Sequence, residues 1–267
     1  MKELISALVM LSMCLPMANT FGKGIDEYTV LMLHCNGKDG STALIDSSSQ
    51  GHIVAANGNS QLDTAQSKFG GASCLFDGSF KYFFSYRDSE TLSVPDSDDW
   101  DFGSGDFTID FWVYFDKTGD QWSSEANLVN QHLDADNYWK ISYHSTRYWL
   151  FAYVRGGIQQ IGMHGGTRPS AEAWHHVAVV RNGNNWNLYV DGTSLANATS
   201  SDAMPSLNAQ LYIGGHNLIV HQNLKGRMDL YLRTTKHRCI WRAKLALLVH
   251  RDLTIMQSFQ LFDTTVI

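Results

Sequence analysis

From Thr29 onward the chain is cut into short apolar runs, each closed within about ten residues by glycine, asparagine, aspartate or serine. This rhythm constrains the fold more than any other feature. The runs are TVLMLHC (29–35), GHIVAAN (51–57), ASCLFDG (72–78), ETLSVP (90–95), DFTIDFWVYF (106–115), EANLVNQ (125–131), YWKISYH (138–144), YWLFAYV (148–154), QQIGMHG (159–165), WHHVAVVR (174–181), WNLYVDG (186–192), AQLYIGG (209–215) and KGRMDLYL (225–232). Several alternate strictly. In DFTIDFWVYF, Phe107, Ile109, Phe111, Val113 and Phe115 share one face, and Asp106, Thr108, Asp110, Trp112 and Tyr114 the other. Stretches with a sustained helical period and caps are missing, so helices should be short and few. The pattern predicts an all-β sandwich of two antiparallel sheets packed face to face. The clearest hairpin is AWHHVAVVRNGNNWNLYVDG (173–192), where Asn182-Gly183-Asn184-Asn185 supplies residues that tolerate positive φ.

With 267 residues and 44% hydrophobic content the chain can bury one large core. The net charge of -6 is uneven, because Arg233, Lys236, Arg238, Arg242, Lys244 and Arg251 crowd the late segment. The acidic body before them argues against nucleic-acid binding, which needs a basic face, and suits calcium or neutral sugars. Residues 1–20, MKELISALVMLSMCLPMANT, have the layout of a secretory signal peptide, with Lys2, an apolar stretch and small residues after it. The stretch is too short to span a bilayer comfortably, and secretion is expected. Cys14 as a lipid-attachment site fits less well. Without the leader, Cys35, Cys74 and Cys239 remain, which allows at most one disulfide.

Five segments, taken together, resemble the laminin G-like domains of the concanavalin A-like lectin/glucanase superfamily, in their bacterial and phage form. They are LMLHCNGKDGSTALIDSSSQGHIVAANGN, DTAQSKFGGASCLFDG, LSVPDSDDWDFGSGDFTIDFWVYF, AWHHVAVVRNGNNWNLYVDG, and LYIGG with LKGRMD, in order over roughly residues 28–230. The resemblance implies a jelly-roll sandwich that binds glycans or surfaces, often with calcium at one edge. By the same resemblance, Asp46 and Asp229 are the calcium candidates, with Asp77 and Glu90 behind them; capping of turns is the competing role for Asp46 and Asp77. The chain departs from the family at FKYFFSYRD (80–88), an inserted loop, and after LKGRMD, where the pattern stops. The expected organisation is a leader over 1–20, one domain over 21–232 and an atypical tail over 233–267, either a helical extension or a product of a shifted reading frame.

Glucanases of the superfamily use a Glu-x-Asp-x-Glu strand, and retaining hydrolysis needs two carboxyl groups about 5 to 5.5 Å apart. Here the comparable strand carries Asp106 and Asp110 with Thr108 between them and no glutamate. Nucleophile elbow, P-loop and HExxH motifs are also missing, so no catalytic residue is expected. Sugar binding would instead draw on aromatic rings between Trp122 and Tyr153. Trp122, Tyr138, Trp139, Tyr143 and Trp149 are the candidates, with Trp122 and Tyr138 favoured by the turn-like residues around them. His175 and His176 are neighbours on a strand and must point to opposite faces, so they cannot share one metal. Asn197-Ala198-Thr199 fits a glycosylation sequon. The function expected is a non-catalytic module recognising carbohydrate or a glycan-bearing surface, with calcium assisting. The alternative is a structural or adhesion module of a virion or cell-surface assembly without a sugar site, and a glycoside hydrolase ranks last.

Overall fold

The computed structural model describes residues 25, 27–78, 90–116, 125–216 and 223–229. Among them are the strands β1 (Leu44–Ile45), β2 (Ile53–Asn57), β3 (Gln61–Asp63), β4 (Ser73–Asp77), β5 (Thr91–Val94), β6 (Phe107–Phe115), β7 (Glu125–Asp134) and β8 (Asn137–His144). They continue with β9 (Tyr148–Arg155), β10 (Ile158–Gly165), β11 (Trp174–Asn182), β12 (Asn185–Val190), β13 (Thr193–Thr199), β14 (Leu211–Ile213) and β15 (Lys225–Asp229). A single 3-10 turn at Asp98–Trp100, capped by Ser97, is the one helical element among the described residues. No helix among them is long and apolar enough to cross a membrane.

The strands form an eight-stranded sheet in the order β1-β2-β5-β14-β7-β8-β9-β10 and a seven-stranded sheet in the order β13-β12-β11-β6-β15-β4-β3. Every pairing is antiparallel. Alternation explains the two layers. Phe107, Ile109, Phe111, Val113 and Phe115 of β6 point inward and meet Trp139, Ile141 and Tyr143 of β8 with Phe151 and Tyr153 of β9 in one continuous core. The hairpin at 173–192 forms as β11 and β12, with Asn182 opposite Asn185 and Gly183 at φ 56. Cys35 and Cys74 form a disulfide, tying the segment before β1 to β4.

The run TVLMLHC is not a strand. Leu31, Met32 and Leu33 are buried, but their backbone is held differently: Met32 N–H donates to Asp46 Oδ1 at 2.9 Å, Ser47 N–H donates to Met32 O at 2.8 Å, and Leu33 makes one isolated bridge to Asp46. An apolar run marks burial there, while a side chain takes the place of a neighbouring strand. Residues 1–20, 80–88 and 233–267, the expected leader, insertion and tail, lie outside the described residues.

Candidate functional site

The outward face of the eight-stranded sheet collects the polar halves of its alternating strands. Register places Ala55, Ser93, Tyr212, Asn130, Lys140, Ala152 and Gly162 in one row across seven strands. Six interstrand steps of about 4.8 Å make that row roughly 29 Å long. The flanking row holds His132, Tyr138, Val154 and Gln159, and the row on the other side holds Asn127, Ser142, Leu150 and His164.

At the centre Lys140 Nζ lies 2.8 Å from Glu125 Oε2, and Ser142 Oγ donates to Glu125 Oε1 at 2.5 Å. Tyr138, half-buried, stacks on His132 with centroids 5.1 Å apart and planes 16° apart, and Lys140 Nζ is 5.7 Å from the same phenol ring. His216 packs edge-on against His132 at 4.4 Å. Beneath them Asn130 Nδ2 donates to Gly215 O at 2.7 Å. Asn130 Oδ1, His132 Nδ1 and Asn223 Nδ2 are shielded and have no hydrogen-bond partner among the described residues. Burial lowers the pKa of His132, and burial with the nearby His132 and Lys140 takes His216 down to about 4. Burial, reinforced by Glu125, raises the Tyr138 phenol above its ordinary value. Of this patch, His132, Tyr138 and Lys140 are half-buried and reach the surface, whereas Ser142, Asn130, His216, Glu125 and Asn223 are buried beneath them. The accessible members, a protonated phenol, a neutral imidazole and an internally paired ammonium, can stack against a sugar ring and exchange hydrogen bonds with hydroxyls.

Of the expected ring platforms, Tyr138 stands on this face. Trp122 lies outside the described residues. Trp139, Tyr143 and Trp149 are corrected: all three point into the sandwich, Trp139 at 1% exposure. Trp139 Nε1–H is taken by Gln131 Oε1 at 3.1 Å, and Tyr143 and Trp149 pack on Phe115 at 5.5 and 5.8 Å. The residues passed over were Lys140, Glu125, His132 and Asn130. The signal was present in YWKISYH, where Trp139, Ile141 and Tyr143 alternate with Tyr138, Lys140 and Ser142; the apolar triplet is the core face.

The calcium candidates do not converge. Asp46 is surrounded by donors: Met32 N and Ser48 N on Oδ1, each at 2.9 Å, and Ser48 Oγ and His52 N on Oδ2, each at 2.8 Å. A carboxylate so filled works as a turn cap. Asp77 takes Asn59 Nδ2 at 3.2 Å on the other sheet, and Glu90 is buried just before β5. Asp229 is fully buried behind the seven-stranded sheet, where Oδ2 accepts from Lys68 N and Phe69 N at 3.0 and 2.8 Å. Lys68 Nζ lies 3.8 Å over the neighbouring Trp112 ring. Among the described residues no three His, Cys, Asp or Glu side chains are grouped to hold a metal ion.

The two strand aspartates are also occupied. Asp106 Oδ1 accepts from Gly183 N at 2.6 Å, and Asp110 Oδ2 lies 3.1 Å from His176 Nε2. His175, on the opposite face, bridges Asp191 Oδ2 at 2.8 Å and Ser170. Burial alone would lower its pKa, but the hydrogen bond and charge of Asp191 outweigh burial and raise it. Both histidines pin strands in place.

These observations define a two-sheet jelly roll of the lectin type with a polar outward face. The chain belongs to the concanavalin A-like lectin/glucanases superfamily, whose laminin G model matches residues 87–231. No curated protein sequence matches it. Among solved structures, the binding domain of Paraclostridial Mosquitocidal Protein 1 is similar at a TM-score of 0.62 and 15% identity, covering 85% of this chain and 53% of that one. Domain 4 of AbnA, a GH43 extracellular arabinanase from Geobacillus stearothermophilus solved with arabinotriose, gives 0.56 and 14%, covering 83% and 99%. The binding domain of Botulinum neurotoxin DC in complex with SialylT gives 0.58 and 13%, covering 85% and 52%. The chain thus spans about half the length of the two toxin binding domains. At these identities the likeness establishes the fold.

Proposed function

We propose that the protein is a non-catalytic binding module that recognises carbohydrate, or a glycan-bearing surface, through the outward face of its eight-stranded sheet. The observation that carries this reading is the half-buried Tyr138–His132 ring pair with the Lys140 ammonium 5.7 Å from the phenol ring, a stacking surface with one polar head beside it. The fold neighbours solved with arabinotriose and with SialylT lend support from the same architecture. The Cys35–Cys74 disulfide fits secretion into an oxidising compartment.

A glycan array probed with the intact chain, with calcium and after chelation, tests the reading. Reproducible binding that falls about five- to tenfold in Tyr138→Ala supports it, the loss expected for one stacked ring. Binding that survives chelation removes calcium from the proposal. Silence across the array favours the second reading, an adhesion or structural module of a virion or cell-surface assembly. That reading has its own motivation: Ile45 and Ile53, cross-strand partners at the sheet edge, are 75% and 77% exposed.

A further inference from the structure

The end of the sandwich away from Tyr138 carries a second arrangement, which carbohydrate binding does not use. His175 packs edge-on against Trp149 at 5.9 Å, near the start of β9, whereas Tyr138 pairs with Val154 near the other end of that strand. The His175 ring stands between two partners: Nδ1 lies 2.8 Å from Asp191 Oδ2, and Nε2 lies 3.1 Å from Ser170 Oγ. An ionised carboxylate only accepts, so the neutral ring carries its proton on Nδ1 and offers the Nε2 lone pair to the Ser170 hydroxyl. Once the ring is protonated, Nε2–H has a second partner in place, the Ser170 carbonyl at 3.2 Å. Both charge states of the imidazole are therefore satisfied, as a group that takes up a proton and returns it requires. Burial lowers the pKa of His175, but Asp191 and the Ser170 carbonyl more than reverse this, so the ring titrates above its ordinary 6.5. Asp191 is itself fixed, because its Oδ1 accepts from His176 N–H at 2.8 Å. With side-chain exposures of 12% for His175 and 49% for Asp191, and with Ser170 exposed, a shielded base stands behind a hydroxyl that solutes can reach. The loop carrying Ser170 is anchored on both sides: Pro169 is buried, and Glu172 N–H donates to Phe115 O at 2.8 Å. Glu172 is held at φ 56, a left-handed conformation uncommon for a residue with a side chain, and backbone strain of this kind collects at functional sites.

We propose that Ser170 is a nucleophilic modification site: its hydroxyl, activated by His175 and oriented through Asp191, takes an acyl group from an activated ester. Oγ attacks the acyl carbon while its proton passes to His175 Nε2. The ester C–O bond breaks, the new Oγ–C bond remains, and the leaving oxygen takes the proton from Nε2. Hydroxyl, imidazole and carboxylate stand in the order and at the separations this step needs. The reaction is stoichiometric, one acyl group per chain, and is independent of the sheet face proposed for carbohydrate.

The intact chain is to be incubated with p-nitrophenyl acetate, and the acetylated positions and their rates read by peptide mass spectrometry. One acetyl group is expected on Ser170 ahead of any lysine. Its rate should rise from about pH 5 and level off once His175 has lost its proton, with the midpoint above 6.5. Ser170→Ala should remove the fast-labelled position. His175→Gln should slow acetylation of Ser170 by about a hundredfold, the lower end of what a positioned base contributes. Near-UV circular dichroism checks that both variants keep the native packing. Acetyl found on lysines and not on Ser170, or a Ser170 rate unchanged in His175→Gln, overturns the inference, since His175 would then only pin β11. A wild-type rate that climbs with hydroxide and never levels off overturns it as well, and that measurement needs no variant.

Discussion

Asp229 allows a test whose sign and size both follow from the structure. Its carboxyl is 0% exposed, one oxygen accepts from Lys68 N and Phe69 N, and Oδ1 has no partner among the described residues. Burial raises its pKa from 3.8 to about 7, against the opposing pull of the two N–H groups and the Lys68 ammonium. The folded state thus keeps a proton that the unfolded chain has released. The group's contribution to stability is fully present below pH 3.8, falls as pH rises, and is lost once pH passes about 7. A gap of about three units at about 1.4 kcal/mol per unit makes the loss on the order of 4 kcal/mol. An asparagine in place of Asp229 would keep the acceptor oxygen and would not titrate, but its amide N–H would have no acceptor, a fixed cost of about 1–3 kcal/mol. Asp229→Asn should therefore be less stable than wild type near pH 4 and more stable near pH 8. Urea unfolding of both proteins, disulfide intact, measures the difference. Between those two pH values it should move in favour of the variant by on the order of 4 kcal/mol. A difference constant to within about 0.5 kcal/mol would refute the reasoning, since it would mean that Asp229 titrates alike in both states.

Two further outcomes concern the frame around the site. Replacing Cys35 and Cys74 by serine opens a crosslink with a sequence separation of 39 residues; chain entropy puts the loss at about 4 kcal/mol, to be read as a lower urea midpoint that matches reduced wild type. Asp46→Ala strips the acceptor from three backbone N–H groups and the Ser48 hydroxyl and should cost about 3–5 kcal/mol. Hydrogen exchange should then show lost protection at Met32 and His52 before the rest of the chain, and uniform loss would contradict the capping role.

The architecture was legible because a period of two is a strong signal wherever one face of a strand is buried. β6 and the β11–β12 hairpin came out of the sequence with their faces and turn correctly placed. The site was less legible for two physical reasons. Aromatic richness does not say which way a ring points, and Trp139, Tyr143 and Trp149 fill the core while their polar neighbours on the same strands face out. Aspartates that resemble metal ligands by position also make good acceptors for backbone N–H, and Asp46 and Asp229 serve in that way here. What decides between those roles is the loop that returns to the carboxylate: Ser48 and His52 for Asp46, Lys68 and Phe69 for Asp229. For Asp46 the return is local, two and six residues on, and for Asp229 it crosses some 160 residues of chain, which spacing does not encode.

The strand order has a consequence for how the molecule assembles. β14 sits between β5 and β7, and β15 between β4 and β6, so the last described strands are inserted into the middles of the two sheets. A nascent chain that has not yet reached residue 211 presents each sheet as two halves with open edges, and those edges can pair with another chain. Closure waits for contacts such as Leu211 with Val94 and Met228 with Cys74, separated by more than a hundred residues of chain. Folding should accordingly be slow and late, with its greatest exposure to aggregation during synthesis.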